Sequence, residues 1–186
     1  DGLLYYVMPF VEGESLRAKL EREGALSVSD AVRLLRDIVD ALALAHQHGV
    51  VHRDIKPDNV MLSGRHAMVT DFGVAKAVSE AGKGSALTTV GVSLGTPTYM
   101  APEQATADPT MDHRADLYAV GVMAFEMLTG SPPFTGNAQA VMAAHVTSPS
   151  PPVQRLRPEV PAALAAAVTR CLAKRPDDRY QTADEL

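Results

Sequence analysis

The chain has 186 residues, 46% of them hydrophobic and 21% charged, an ordinary balance for a globular domain long enough to bury a substantial core. A net charge of -5 argues against a general nucleic-acid binder, which carries a basic face. The lone Cys171 excludes an internal disulfide framework and fits a reducing compartment, and Glu126 interrupts the longest apolar run, Ala119 to Leu128, well short of a membrane span.

Leu3 to Val11 is β-branched and aromatic and predicts a strand ending near Pro9, broken by Glu12-Gly13. The chain opens at Asp1 inside that strand, without a methionine or a signal peptide, and is expected to be a piece of something longer. Ser15 to Arg22 predicts a short helix. Ser27, with Asp30 three residues on, predicts a capped helix start. Val28, Val32, Leu35, Val39 and Leu42 then recur at helical spacing until Gly49. Residues 50–52, 60–62 and 67–70 predict short strands, the last two joined at Ser63-Gly64. Residues 79–98 predict a long loop. Asp116 to Thr129 is apolar nearly all round and predicts a buried helix stopped by Gly130. Asn137–Thr147 and Pro161–Lys174 predict two more helices around a Pro-rich loop at 149–161. Thr182 predicts the cap of a last helix that ends with the chain at Leu186.

Between the apolar pairs Val50-Val51 and Val60-Met61 the chain packs His52, Arg53, Asp54, Lys56, Asp58 and Asn59. A lone Asp–Asn pair is ordinary turn chemistry, and neither H-R-D nor D-F-G means much alone. In this chain His52-Arg53-Asp54 leads to Asn59, then to Asp71-Phe72-Gly73, then to Ala101-Pro102-Glu103. That is H-R-D-x-x-x-x-N, D-F-G and A-P-E in one fixed order. The chain resembles the C-terminal lobe of a protein kinase, most closely the bacterial eukaryotic-type Ser/Thr kinases, over essentially its whole length.

The resemblance implies an α+β fold: a mostly helical kinase-like C-lobe with short β-hairpins around the catalytic loop. The N-lobe is expected to be absent except for its last hinge strand. Residues 1–14 would be the end of the N-lobe and the hinge, and 15–186 the C-lobe, cut in its last helix. Within it the catalytic loop is 50–62 and the activation segment 71–103. Phosphoryl transfer needs positioning and charge neutralisation more than covalent help. The resemblance therefore makes Asp54 the acceptor of the substrate hydroxyl proton and Lys56 a point charge on the γ-phosphate. Asn59 and Asp71 become the metal ligands. His52 is implied to be structural rather than a base. Lys56 and Thr96 match Ser/Thr rather than Tyr kinases. Met8, Pro9 and Val11 would line the adenine site at the hinge, with Met61 and Thr70 on its floor.

Arg53 implies control by loop phosphorylation, at Thr88 or Thr89 ahead of Ser85 or Ser93. Asp116 is implied to accept N–H bonds from the catalytic loop, and Glu103 to pair with Arg179 on a C-terminal helix. The implied cofactors are ATP and Mg²⁺ (or Mn²⁺). The implied partners are proteins with Ser or Thr acceptors, with any dimer formed through the small lobe and no nucleic acid or membrane bound by this segment. The expected place is the cytoplasm, with a membrane anchor downstream in the longer protein. No Gly-rich loop or strand lysine occurs in these residues, so the segment alone is expected to be inactive. Two other functions fit the same lobe: a binding or scaffold module, and a small-molecule kinase. The A-P-E segment and Thr96 weigh against the latter. His46 and His48 do not share a helix face, Pro149–Pro152 reads as a loop, and Cys171 reads as core.

Overall fold

A computed structural model describes residues 11–72 and 97–186. Ser15 begins the helical body: its Oγ accepts the Ala18 N–H at 3.2 Å and starts α1, Leu16–Glu23. Ser27 does the same for α2, Val28–Gln47, accepting the Asp30 N–H at 3.0 Å. The Asp30 carboxylate receives the Ser27 hydroxyl instead of the Ser27 backbone N–H; its side chain is one methylene shorter than the glutamate of the usual box. Ala31, Leu34, Ile38 and Leu42 form the buried stripe of α2; of the expected stripe only Leu42 belongs to it, while Val28, Val32, Leu35 and Val39 are half-buried at its side.

Among the described residues the sheet is antiparallel, in the order β1 (Glu14–Ser15), β2 (Val60–Ser63) and β3 (His66–Val69). Ser15 faces Met61, and Met61 faces Met68. Gly13 lets the chain enter this sheet. Its φ is 143°, and a Cβ there would lie 1.9 Å from the Leu62 carbonyl oxygen, so no other residue fits.

The core is built around α4, Arg114–Thr129, in which every residue from Ala115 to Leu128 is buried. This is why its sequence shows no polar face. It ends where expected, at Gly130 with φ 80°, whose N–H reaches the Glu126 carbonyl at 2.7 Å. Gly121 brings α7, Ala162–Cys171, against it: a Cβ would stand 2.6 Å from Cys171 Cβ. The short α3 (Pro102–Ala105) precedes α4 in the chain, and α5 (Ala138–Thr147, capped by Asn137) and α6 (Val153–Leu156) follow it before α7. Cys171 is buried, and burial pushes its thiol up to about 12.

Three expectations change. Residues 50–52 form no strand: the Val50 N–H closes back on Ala45, and those of His52 and Arg53 go to the Asp116 side chain. The Pro-rich stretch is not all loop. Pro152 sits at the start of α6, where a missing N–H costs nothing. Thr182 caps no α-helix; Ala183–Glu185 is a single 3₁₀ turn without a side-chain cap bond. No helix of the described residues is long and apolar enough to cross a membrane.

Candidate active site

Asp116, on the first turn of α4, organises the His52–Asn59 loop. Its Oδ2 accepts the His52 N–H at 2.8 Å, and its Oδ1 accepts the Arg53 N–H at 2.8 Å. His46 Nε2 meets the same Oδ2 at 2.9 Å from α2. Arg53 is held at φ 70° and Asp71 at φ 64°. Such backbone persists in non-glycine residues only where the surroundings over-determine it, and it concentrates at functional sites.

The loop folds its polar side chains onto one another. Lys56 Nζ donates to Asp54 Oδ2 at 2.7 Å. Asn59 Nδ2 donates to the Asp54 carbonyl at 2.8 Å and to Asp54 Oδ2 at 3.1 Å. Asp54 remains 35% exposed, so a substrate group can reach it. His52 is buried, with both nitrogens engaged. Nδ1 accepts the Asp54 N–H at 3.2 Å, which leaves Nε2–H to donate to the Thr70 carbonyl at 2.7 Å. Its ring packs edge-on against Phe72 at 4.8 Å. The Thr70 N–H returns to the Asn59 carbonyl at 2.9 Å. These two ties fix Thr70, the residue before Asp71, to the loop.

Farther along, Glu103 and Arg179 form a bidentate pair at 2.6 and 2.8 Å, with Arg179 fully buried. Arg179 follows the 3₁₀ turn Pro176–Asp178 rather than standing on a helix.

All 186 residues match the protein kinase domain family model. The chain belongs to the protein kinase family. It is 40% identical over 186 residues to the serine/threonine-protein kinase PknB of Mycolicibacterium smegmatis, an alignment covering 99% of this chain and 29% of that relative. It is 41% identical over 187 residues to PknB of Mycobacterium tuberculosis, covering 99% and 29%. With serine/threonine-protein kinase PknE of the same organism it is again 41% identical over 187 residues, covering 100% and 32%. The kinase chain thus spans about a third of the length of these relatives, or less.

Kinases use a divalent metal with ATP, and the oxygen donors fit one. Asn59 uses its amide N–H groups on Asp54, which leaves its Oδ1 as a donor without a hydrogen bond among the described residues. With the Asp71 carboxylate, it could offer a metal two hard oxygen donors. Among the described residues no group of three His, Cys, Asp or Glu could hold a metal by itself. Mg²⁺ suits such a site because it takes few protein ligands and completes its shell with phosphate oxygens and water.

The register of Ser15 with Met61 brings the chain that follows Val11 to β2. Thr70 Oγ1 approaches the Asn59 carbonyl at 3.3 Å. Met8, Pro9, Thr88, Thr89, Ser85, Ser93, Gly73 and Thr96 lie outside the described residues. Arg53 points its exposed side chain away from any hydrogen bond or ion pair among the described residues.

Two residues that make long-range ties near this loop were missed from sequence. Gln104 accepts the Ala101 N–H at 3.0 Å and donates to the Arg53 carbonyl at 2.8 Å. Arg17 reaches Glu126 at 2.9 Å. Gln104 carries no sequence signal. Glu126 did, as the one charge inside an apolar helix.

Proposed function

We propose that the protein transfers the γ-phosphoryl group of ATP to Ser or Thr hydroxyls of protein substrates, with residues 15–186 as the large lobe of the catalytic domain and 1–14 as the end of the small lobe and the hinge strand. The observation that carries this reading is the pair of donors on one carboxylate oxygen: Lys56 Nζ and Asn59 Nδ2 both reach Asp54 Oδ2. They fix one oxygen and leave the other, Oδ1, to receive a proton.

Asp54 orients the acceptor hydroxyl and takes its proton as the new O–P bond forms. The bond from the γ-phosphorus to the bridging oxygen breaks, and its electron pair leaves with ADP. Lys56, a compact cation beside Asp54, meets the γ-phosphate. Asn59 and Asp71 would hold Mg²⁺, which when bound would supply charge neutralisation at the phosphates. Met61 and Thr70 contribute to the nucleotide floor, with Met8, Pro9 and Val11 at the hinge. Arg53, whose side chain is exposed, would receive a loop phosphate at Thr88 or Thr89.

The test is phosphoamino-acid analysis of a mixed protein substrate incubated with labelled ATP, Mg²⁺ and the full-length protein. Label on Ser and Thr, lost with Asp54→Asn, is the expected result. Label on tyrosine, or Ser/Thr label that survives Asp54→Asn, would overturn the assignment.

A further inference from the structure

Lys19, Arg22 and Glu23 of α1 pair with one another and with Glu14 at the surface. Arg17, on the first turn of α1, turns inward instead. Its Nη1 donates to Glu126 Oε1 at 2.9 Å, its Nη2 donates to the Tyr99 hydroxyl, and its Nε lies 3.6 Å from Asp58 Oδ2. The Tyr99 hydroxyl donates in turn to Glu126 Oε2. Guanidinium, phenol and carboxylate therefore close a ring of bonds. Tyr99 is 5% exposed and Glu126 6%. Burial, with the Glu126 carboxylate beside it, pushes the Tyr99 phenol up, so it stays a neutral donor.

Four segments meet at this one side chain: α1, the His52–Asn59 loop through Asp58, the 3₁₀ turn Pro97–Tyr99, and α4. On the neighbouring α3, Gln104 makes the matching tie to the Arg53 carbonyl. The stretch from Pro97 to Gln104 is thus fixed to the loop that carries Asp54 at two places. None of the Arg17 partners is a residue assigned to metal or nucleotide.

We propose that Arg17 is a positioning residue for the protein substrate, holding the Pro97–Tyr99 turn in register with the Asp54 loop. The proposal rests on the kinase reading, in which this stretch shapes the peptide-binding surface. Arginine is required because three of its nitrogens face three different residues. A lysine ammonium is a single point on a flexible stem and cannot span them.

The full-length protein with Arg17→Lys gives the direct test. Arg17→Met with Glu126→Gln gives a second variant that leaves no buried carboxylate alone. Each is measured well below its melting temperature against a peptide that the unchanged protein phosphorylates. For both variants KM for peptide is expected to rise by roughly tenfold, while KM for ATP moves less than about twofold. Amide hydrogen exchange at Thr98 to Ala101 is expected to quicken by about tenfold, a local opening that reads the turn without any turnover. Peptide KM within about twofold of the unchanged protein, or peptide and ATP KM rising together, overturns the proposal. So does unchanged exchange at the turn. If the unchanged protein labels no Ser or Thr substrate, the kinase reading falls, and the exchange measurement still decides whether Arg17 fixes the turn.

Discussion

Asp116 Oδ1 holds the backbone N–H of Arg53 at 2.8 Å while Arg53 sits at φ 70°. A buried carboxylate on the core helix thus enforces a left-handed residue next to Asp54. Asp116 has three partners in all, counting the His52 N–H and His46. Asp116→Ala is expected to cost about 3 kcal/mol, because it strands buried N–H donors. On the kinase reading it also lowers kcat by about a hundredfold, through a shift of the loop that is small in ångströms. Asp116→Asn keeps one acceptor oxygen and should fall between. Thermal melts and initial rates on the same preparations check both effects; a fully active Asp116→Ala would remove the residue from this role.

Asp54 is partly exposed, and its carboxylate is held by Lys56 and Asn59 rather than packed in the core. Asp54→Asn should therefore leave the melting temperature nearly unchanged and lower kcat by about 10² to 10⁴. Lys56→Met should lower kcat by about 10² or more, through loss of charge at the transferring phosphoryl group. A large drop in stability with either variant would show that the cluster is structural first.

The motif residues and the long helices were legible in sequence because each signal is local. Ser27 and Asn137 cap at a fixed offset and Gly130 stops α4 with a positive φ, whereas in α2 the helical period was legible but the buried face, Ala31, Leu34 and Ile38, lies one position before Val32, Leu35 and Val39. The absent strand at 50–52 was not legible. Val50-Val51 has β-branched composition, but its neighbours' N–H groups are taken by Asp116, which is 64 positions from His52. Short pieces such as α3 and α6 have too few residues for a period to show. Arg17 looks like any surface arginine in a helix rich in charge, and only the fold brings it to Glu126, 109 positions away.

Arg179 is fully buried and does more than pair with Glu103. It also donates to the carbonyls of Ala173, Lys174 and Arg114 at 2.8, 3.0 and 3.0 Å. Glu103→Leu, which leaves a buried guanidinium uncompensated, should cost about 3 to 5 kcal/mol. Arg179→Met strands a carboxylate and three carbonyls and should cost at least as much. Glu103→Leu with Arg179→Met removes both charges, yet the carbonyls stay unpaired. The double variant should recover only part of the loss, as read by a double-mutant cycle in urea. Full recovery would mean that the carbonyl bonds contribute nothing.

His145 is buried on α5 with both nitrogens occupied. Nδ1 accepts from the Tyr118 hydroxyl at 2.9 Å, and Nε2 donates to the Thr98 carbonyl at 2.9 Å. Burial pushes its pKa down to about 4; the Thr98 bond opposes this, and the Lys174 ammonium adds to it. An unfolded histidine titrates near about 6.5, so between that value and about 4 the unfolded chain binds the proton better. The contribution of His145 is therefore complete above about pH 6.5 and is lost as pH falls toward 4. Lys174, Tyr118 and Phe134 are the groups that face it from neighbouring segments. His145→Gln should melt lower than the unchanged protein at pH 7 and show a flatter decline into acid, so that the two melting temperatures converge toward pH 4. Parallel pH profiles would instead place the acid sensitivity on other groups.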